Sequence, residues 1–419
     1  MNKEIPVNID CDGQPDLLSV EDALQRIQNF VEPVEEMQTL PLMDALHHVL
    51  AEEVISPINV PPYINSAMDG YAVKGSELPE RDEAEFKLIG TSFAGNPFDG
   101  VVNAGECIRI MTGAKMPDGA DTVIMQEHVV NKDDTIRIVA GHCAGQNVRH
   151  VGEDVTAGKA VLQPGKYIGA AELGLLASLG IPQVTVKRKI KIAFFSTGDE
   201  LRPVGEKLQE GQIYDSNRYT LFGMLTKLGA EVIDLGVIRD DPNEVEAAFI
   251  KASSMADAVF TSGGVSVGDA DYVKQTLDKI GQVDFWRIRM KPGKPLACGK
   301  INNAIFFGLP GNPVSVMATF YIFALPALKR LMGQTDFMQP TFKIPCYSGL
   351  KKRPGRTDFQ RGIMYRDDNG EMVVDGAGMQ ASHILSGMSK ANCFIILPAE
   401  SGSVASGDLV EVLPFDGMK

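Results

Sequence analysis

Acidic residues and glycines follow four short apolar runs in the central part of the chain, and their types suit phosphate and metal chemistry. They occupy residues 196–200, 239–242, 261–271 and 309–315. Glycines let a backbone approach a ligand closely, and the amides at a helix N-terminus bind phosphate. Carboxylates beside a phosphate normally need a cation between them, and hard oxygen ligands suit Mg²⁺. The four segments therefore predict a site for a phosphorylated ligand and a magnesium ion.

Each of these segments, taken alone, has a simpler interpretation. The Asp-Asp-Pro run at 240–242 is typical of a helix N-cap with proline in the first turn, and the Asp-Ser pair at 215–216 is typical of another cap. The acidic pair at 199–200 fits a solvated turn, and the Ser-Gly-Gly sequence at 262–264 fits an ordinary loop. The functional interpretation prevails if the four segments meet in space.

Four cations lie within eight residues, at positions 287, 289, 291 and 294, in a chain whose net charge is −14. The alternation of the first three fits a strand with outward, solvated charges. The Lys-Pro-Gly-Lys-Pro stretch at 291–295 instead favours an anion clamp, because its prolines fix the turn and its glycine makes room. This stretch predicts that Lys291 and Lys294 are held toward an anionic ligand.

Strand–helix alternation over residues 189–332 brings the four segments together. Predicted strands cover 190–195, 231–237, 258–261 and 304–308. Predicted helices cover 215–228 with Gly229 at the end, 242–253, a stretch that ends at 280, and an apolar stretch at 314–328. Repeated βα units imply a parallel sheet with helices on both faces, and ligands bind beyond the carboxyl ends of its strands. All four segments are predicted to converge there, and this convergence favours a functional site.

The remaining segments predict a helical part and two β parts. Residues 16–55 and 169–179 have helical spacing, and they are expected to pack together. Short strands with turn residues over 65–150 predict an inserted all-β module. After Pro340, a small C-terminal β domain is predicted, with strands at 342–346, 372–374, 393–397 and 409–413.

Several charged residues in these parts are explained by turns or by a solvated surface when the sequence pattern alone is considered. Asp69 precedes a glycine as in a tight Asp-Gly turn, and Asp154 ends a Gly-Glu-Asp run that also fits a turn. In the last domain, Arg353, Arg356 and Arg361 are typical of a surface patch.

Composition excludes several classes of protein. The net charge and a pI of about 5.0 argue against a general nucleic-acid binder or an anionic-membrane binder, because both need a broad basic surface. The N-terminus has no apolar signal region, and the apolar stretch at 314–328 is shorter than the roughly 20 residues of a membrane span. The six cysteines show no CxxC spacing and there is no HExxH, so neither a disulfide framework nor zinc is expected. A cytoplasmic protein without a membrane partner is predicted.

Seven sequence motifs resemble those of a known family, the molybdopterin molybdenumtransferases, which are bacterial relatives of the C-terminal domain of gephyrin. The resemblance covers essentially the whole chain. The motifs are PPYINSAMDGYAV (61–73), RIMTGAKMPDGAD (109–121), STGDEL (196–201), TSGGVSVGDADY (261–272), MKPGKP (290–295), GLPGNPVSV (308–316) and GRTDFQRG (355–362).

The resemblance implies a multidomain α/β and β architecture. It comprises a helical elongated domain in two segments (1–55 and 151–188), an inserted β domain (56–150), an α/β parallel-sheet domain of the molybdopterin-binding type (189–338) and a C-terminal β domain (339–419). It also implies a homodimer whose active cleft lies between the α/β domain of one chain and the β module of its partner. That arrangement gives Asp69 a role that its local pattern does not.

The family's functional residues map onto matching positions of this sequence. The implied catalytic residues are Asp69, Asp154, Glu200, Asp240, Asp271 and Lys291, with Glu200, Asp240 and Asp271 as metal ligands. The implied substrate-binding residues are Thr112, Ser262, Gly263, Gly264, Ser266, Arg287, Lys294, Pro310, Gly311, Asn312 and Pro313. The family often has lysine where Arg287 stands, and arginine keeps the charge but changes the donor geometry.

The implied reaction converts adenylylated molybdopterin and molybdate into the molybdenum cofactor and AMP, with Mg²⁺ at the pyrophosphate. The molybdopterin adenylyltransferase is a candidate partner. Two alternatives stay open. The adenylylation enzyme shares the α/β domain and the SGG and LPGNP regions, although the β module at 65–72 and the C-terminal domain favour insertion. A scaffold role, which gephyrin also has, is the non-enzymatic alternative, and the intact set of acids and lysines argues against it.

Overall fold

The computed structural model describes residues 17–263 and 272–415 of the chain. Helix α1 (Val20–Phe30) begins at Ser19, whose hydroxyl accepts a hydrogen bond from the Asp22 backbone N–H at 3.0 Å. Strand β1 (Met37–Pro41), a 3₁₀ turn (Leu42–Ala45) and strand β2 (Val54–Ile55) follow. The predicted helix over 16–55 is therefore wrong beyond α1, because strand pairing with a distant segment overrides the local apolar spacing.

The inserted module is all-β, as its turn-rich sequence predicts. Its main sheet has six strands in the order β7-β4-β6-β5-β9-β8, and β3 pairs with β10 beside it. The strands are β3 (Asn65–Ser66), β4 (Gly70–Val73), β5 (Glu83–Ser92), β6 (Glu106–Ile110), β7 (Thr122–Met125), β8 (Val129–Lys132), β9 (Thr135–Val139) and β10 (Val148–Arg149).

After the module, the chain returns through β11 (Ala160–Leu162), α2 (Ala170–Ser178) and β12 (Gln183–Lys187). Strand β11 pairs with β2, and β12 pairs with β1, both antiparallel. The two segments thus join through paired strands rather than through packed helices. Meanwhile α1 packs in the core of the following domain, where Ala23 and Ile27 share a cluster with Phe320. The predicted domain boundaries themselves stay a prediction.

The α/β domain alternates strands and helices as predicted. Asp215 caps its first helix by accepting from the Arg218 backbone N–H at 3.1 Å, and Gly229 ends that helix in a left-handed conformation. Its elements are β13 (Lys191–Thr197), β14 (Leu201–Arg202), β15 (Ile213–Tyr214), α3 (Ser216–Leu228), β16 (Glu231–Ile238), α4 (Pro242–Met255), β17 (Ala258–Ser262), α5 (Tyr272–Ile280), β18 (Gly281–Arg287), β19 (Met290–Lys291), β20 (Pro295–Ile301), β21 (Ala304–Leu309), α6 (Pro313–Thr319), a π-helical turn (Phe320–Ala324) and α7 (Leu325–Leu331).

The sheet of this domain is mixed, with the strand order β16-β13-β17-β21-β20-β18. The first four strands are parallel, whereas β20 and β18 run antiparallel to their neighbours. The four predicted strands are therefore parallel as expected, and the sequence did not predict the two antiparallel strands at one edge, where residues 281–301 return directly as strands without a crossover helix. Alternate residues of β13 bury into clusters on opposite faces, so helices cover both sides as predicted.

The C-terminal domain is a β-sheet in the order β19-β23-β25-β26-β22, with β24 also paired to β23. Its elements are β22 (Phe342–Pro345), β23 (Thr357–Arg366), β24 (Met372–Gly376), α8 (Ser386–Lys390), β25 (Cys393–Leu397) and β26 (Leu409–Pro414). One edge strand, β19, belongs to the connection between β18 and β20 of the preceding domain. The two domains therefore share a sheet.

Among the described residues, one continuous helix, Pro313–Leu331, is long and apolar enough to cross a membrane by length and composition. Most of it is buried against the α/β sheet, with Phe320, Phe323 and Leu328 inaccessible to solvent. A core helix of a folded domain passes the same test.

Candidate active site

A cleft of about 1360 Å³ opens at the carboxyl edge of the parallel strands and faces the C-terminal domain. All four predicted segments contribute to it, so their convergence is confirmed. The segment after β13 supplies Glu200, the segment after β16 supplies Asp240, and the segment after β17 supplies Gly263. The segment after β21 supplies residues 310–312. This is the place where open α/β sheets bind ligands.

The acidic side of the cleft brings like charges together. Asp240 and Glu200 both line it, and the Asp240 backbone N–H donates to Asp199 Oδ1 at 3.5 Å. Burial, followed by the negative charges of Asp199 and Glu200, raises the pKa of Asp240 above its ordinary value. A bound cation would relieve this repulsion, because an opposite charge favours the ionised form of a carboxyl group.

The Asp240–Pro242 run combines the predicted helix cap with a residue of the cleft lining. Asp241 caps α4, since its Oδ1 accepts from the backbone N–H groups of Asn243 and Glu244 at 2.9 and 3.0 Å. Pro242 occupies the first turn of the helix. Asp240, one position earlier, lines the cleft. The cap therefore fixes the backbone that carries the cleft carboxylate.

Gly263 ends β17 where only glycine fits. Its φ is +89°, and a Cβ atom at this position would lie 2.9 Å from the Thr197 carbonyl oxygen. Neighbouring Ser262 is buried, with its Oγ 3.1 Å from Ser196 Oγ, and it does not line the described cleft. Gly264, Ser266 and Asp271 lie outside the described residues, so their predicted roles stay predictions.

The cationic side of the cleft comes from the connection between β18 and β20. Lys291 and Lys294 both line the cleft, as the Lys-Pro-Gly-Lys-Pro sequence predicts. Gly293 between them has φ +100°, and a Cβ atom there would lie 2.8 Å from Thr319 Cγ2 in α6. The connection is therefore seated directly against α6. Arg287, at the exposed end of β18, is not among the residues that line the described cleft.

A further wall of the cleft belongs to the C-terminal domain, and sequence reasoning missed it. Its lining residues are Ser348, Gly349, Leu350, Lys351, Gln360, Gly376, Gly378, Met379, Gln380, Ala381, Ser382 and His383. The Ser382 carbonyl accepts from the Val314 backbone N–H at 3.2 Å, so this wall reaches the start of α6. The GRTDFQRG motif around Gln360 was the available signal.

Arg361 is not part of a surface patch, which corrects that prediction. It is 1% exposed, and its guanidinium donates to the carbonyl oxygens of Met379, Ala381 and Ile384. Burial lowers the pKa of Arg361. The side chain thus holds the backbone of the cleft wall in shape, since one planar group satisfies three acceptors.

Three predicted site residues lie in or beside the inserted β module and do not line the cleft formed by the described residues of one chain. Asp69 Oδ1 accepts from both the backbone N–H and the hydroxyl of Thr112, each at 2.7 Å. These two hydrogen bonds lower the pKa of Asp69. Asp154 is exposed, and its backbone N–H donates to the Val60 carbonyl at 3.0 Å.

Within residues 17–263 and 272–415, no group of three or more His, Cys, Asp or Glu side chains is arranged to hold a metal ion. Glu200 and Asp240 nevertheless supply the hard oxygen donors that Mg²⁺ accepts, and such ions are commonly bound by one or two carboxylates plus substrate phosphates. Pro310, Gly311 and Asn312 line the cleft beside them, and Pro313 begins α6.

Three family models match the chain in order. The MoeA N-terminal region (domain I and II) matches residues 18–180, the probable molybdopterin binding domain matches 193–330, and the MoeA C-terminal region (domain IV) matches 343–415.

Curated proteins and a solved structure resemble the chain over most of its length. A molybdopterin molybdenumtransferase of Haemophilus influenzae is 47% identical over 402 residues, which covers 96% of this chain and 99% of the relative. Gephyrin of Dictyostelium discoideum is 32% identical over 90% of this chain and 59% of its own length. The crystal structure of a molybdopterin biosynthesis moeA protein from Pyrococcus horikoshii superposes with a TM-score of 0.80 at 29% identity, covering 96% of this chain and all of that chain.

Proposed function

This chain belongs to the family of molybdopterin molybdenumtransferases, the transferases of molybdenum cofactor biosynthesis, and from that membership we propose a specific reaction. It takes adenylylated molybdopterin and molybdate and yields the molybdenum cofactor and AMP, with a requirement for Mg²⁺. The observation that carries the proposal is the mixed lining of one cleft by two carboxylates, Glu200 and Asp240, and two lysines, Lys291 and Lys294. A phosphorylated ligand with a metal ion, beside a second oxyanion, matches that lining.

Glu200 and Asp240 are the proposed metal ligands, with Asp271 as a third. The raised pKa of Asp240, caused by burial and by neighbouring carboxylates, marks a place where negative charge accumulates and where a cation fits. When bound, Mg²⁺ neutralises the pyrophosphate and polarises the bond to AMP.

The cationic wall serves the second substrate. Lys291 and Lys294 offset the charge of molybdate close to the dithiolene, and their fixed segment keeps both on one side of the cleft. Gly263 and residues 310–312 let the backbone approach the phosphates closely, and this orients the anhydride for cleavage. The carboxylates therefore act first as ligands and only second as acid–base groups.

We also propose that the working unit is a homodimer in the cytoplasm, with the site completed by the partner's β module. Asp69 and Thr112 form a ready-made hydrogen-bonded pair on the surface of that module, and they lie away from the described cleft of their own chain. Exposed apolar side chains accompany them, including Ile64 and Met68. Such a patch is typical of an interface. The adenylylated substrate would come from the molybdopterin adenylyltransferase.

The central experiment incubates the purified protein with adenylylated molybdopterin, molybdate and Mg²⁺ and follows AMP by chromatography. AMP release is expected to need both molybdate and Mg²⁺ and to vanish in Glu200→Ala. Glu210→Ala is the matched control, because Glu210 is an exposed glutamate of the same domain that is not among the cleft residues. In a parallel incubation of unmodified molybdopterin with ATP and Mg²⁺, formation of pyrophosphate would instead indicate adenylylation. A folded protein that releases no AMP would contradict the proposal.

The shared site has its own test, in which Asp69→Asn and Glu200→Ala subunits are mixed. Each variant alone is expected to be inactive. A mixed dimer would carry both substitutions in one cleft and none in the other, so activity should return on mixing. Activity that stays absent, although mixed dimers have formed, would place Asp69 in the cleft of its own chain or outside the site.

A further inference from the structure

The C-terminal domain brings a buried carboxylate, Asp358, to the lysine side of the cleft. Lys291 and Asp358 are register partners in the parallel pairing of β19 with β23. The Thr357 backbone N–H donates to the Arg289 carbonyl at 3.0 Å, which continues the pairing. The backbone that carries Lys291 is therefore fixed by the strand that carries Asp358.

The two side chains differ in freedom. Lys291 Nζ lies 3.9 Å from Asp358 Oδ2, and the lysine side chain is 50% exposed whereas that of Asp358 is 8% exposed. Asp358 Oδ2 also accepts from Gln360 Nε2 at 3.0 Å, and Gln360 Nε2 lies at 3.0 Å from the Lys351 carbonyl oxygen as well. The carboxylate is thus the buried, hydrogen-bonded member of the pair, and the lysine is the exposed member.

A buried carboxylate is costly unless an opposite charge accompanies it. Two lysines supply that charge. The negative charge of Asp358 favours the ammonium form of buried Lys352, and Lys291, at the cleft surface, is drawn by the same charge toward the C-terminal wall. Lysine is a compact charge on a flexible stem, and a fixed partner removes orientations that do not face the ligand. Asp358 itself is not among the residues that line the described cleft, whereas Lys291 and Gln360 are. Asp358 therefore reaches the ligand through the lysine.

We propose that Asp358 is a positioning residue, which holds the Lys291 ammonium group on the C-terminal wall of the cleft in the orientation that meets molybdate. The inference rests on the proposed function, because it takes an anionic substrate as the partner of Lys291. It makes the C-terminal domain part of the reacting centre.

The first experiment compares Asp358→Asn with wild type in molybdate-dependent AMP release, together with molybdate binding by equilibrium dialysis. The kcat is expected to fall about tenfold, since a displacement of about 1 Å in a positioned group can cost on the order of 10²-fold. Molybdate affinity should stay equal or increase, because a negative charge beside the lysine has been removed. Asp368→Asn, an exposed residue between β23 and β24, is the control for the same change of charge. Wild-type kcat, or a raised KM with unchanged kcat, would overturn the proposal.

The second experiment separates positioning from a structural role with the variants Lys291→Met, Asp358→Asn and their combination. If Asp358 acts through Lys291, its substitution causes no further loss of kcat once the lysine is absent. An equal loss in both backgrounds would mean that Asp358 only supports the fold. If Asp358→Asn does not fold, Gln360→Leu releases the carboxylate from its hydrogen bond and should lower kcat in the same lysine-dependent way. A Gln360→Leu loss that persists without the lysine would likewise overturn the proposal.

The proposed reaction and the proposed positioning role of Asp358 can be refuted separately. If wild-type protein releases no AMP, the proposed reaction is wrong. The same variants are then compared by their molybdate dissociation constants alone. A change in the molybdate Kd on Asp358→Asn that disappears in the Lys291→Met background still supports positioning. If wild type is active and the cycle is additive, the positioning role alone is refuted.

Discussion

Gly293→Ala tests whether the lysine segment must be seated against α6. Gly293 has φ +100°, and an added Cβ atom would lie 2.8 Å from Thr319 Cγ2, a fully buried methyl group. Backbone strain of this kind costs about 1–3 kcal/mol, and inserting an atom into a packed core costs about 1–3 kcal/mol more. Alanine at this position is expected to lower the free energy of unfolding of this part of the protein by about 4 kcal/mol, or to displace both lysines.

Gly205→Ala is a close control for this prediction. Gly205 has φ +99° in the same domain, and a Cβ atom there would have no neighbour within 4 Å. It therefore carries the backbone strain without the clash, and the difference between the two variants isolates the contact with Thr319. Urea unfolding measures the stability loss, and AMP release measures the displacement of the lysines.

Thr319→Ser tests directly whether the contact between residue 293 and α6 causes the loss. Thr319→Ser removes the clashing methyl group and keeps the hydroxyl, which hydrogen-bonds to the Ser315 and Val316 carbonyls. By itself it should cost about 1 kcal/mol, the value of one buried methyl group. Combined with Gly293→Ala it should recover the part of the stability loss that the clash causes, leaving the backbone strain that Gly205→Ala also carries, and it should restore activity. If Gly293→Ala behaves like Gly205→Ala, or if Thr319→Ser gives no recovery, the seat against α6 is not what positions the lysines.

Three further predictions concern other parts of the chain. Burial lowers the pKa of His48 below its ordinary value, so the unfolded chain binds the proton more readily than the folded chain. The free energy of unfolding should therefore fall as the pH drops below about 6.5. In thermal unfolding measured at several pH values, His48→Gln should lose less stability over this range than wild type. Arg361→Met removes three hydrogen bonds to carbonyl oxygens and should destabilise the C-terminal domain by about 2 kcal/mol or more. Limited proteolysis should then cut the cleft wall faster. Arg361→Lys should not restore stability, because lysine lacks the planar guanidinium group. Thr112→Val removes one of the two hydrogen-bond donors to Asp69, so the pKa of Asp69 should rise. The acid limb of the pH–rate profile should then move to higher pH, whereas Thr112→Ser should leave it in place.

Local rules account for the parts of the fold that the sequence predicted best. The cap at Asp215, the left-handed Gly229 and the cap at Asp241 depend only on neighbouring residues, and each appears in the structure. The strand at 393–397 is a continuous apolar run with the predicted limits. The convergence of four segments followed from βα alternation, which places strand ends at one edge whatever the details of the helices.

The parts that failed depend on partners distant in sequence. The helix predicted over 16–55 runs across residues 37–41, which instead pair with β12, far along the chain. Strand β23 carries Asp358, Gln360 and Arg361 at buried positions, a polar set that a hydrophobic pattern cannot identify as a strand. The C-terminal wall of the cleft was missed for the same reason.

The inserted module contains a contact between two distant residues that local sequence patterns could not predict. Asp69 and Thr112 are far apart in sequence, and nothing in their local patterns links them, yet they share two hydrogen bonds in the structure. Only the resemblance to a family singled out both residues. Their pairing follows from the register of β4 with β6, whose ends bring the two together.

The shared sheet has a consequence for how the protein is made. Strand β19 is synthesised and leaves the ribosome before β23, its only strand partner among the described residues, has been translated. A nascent chain that ends before Thr357 already contains the four cleft segments and both lysines, yet it lacks the strand that pairs with the Lys291 segment. If Asp358 positions Lys291 as proposed, a chain that stops before Thr357 is expected to show little molybdate-dependent activity. The same feature sets a rule for grafting: a C-terminal domain excised at residue 339 leaves the edge of β23 open, so a transferable module must bring residues 288–292 with it.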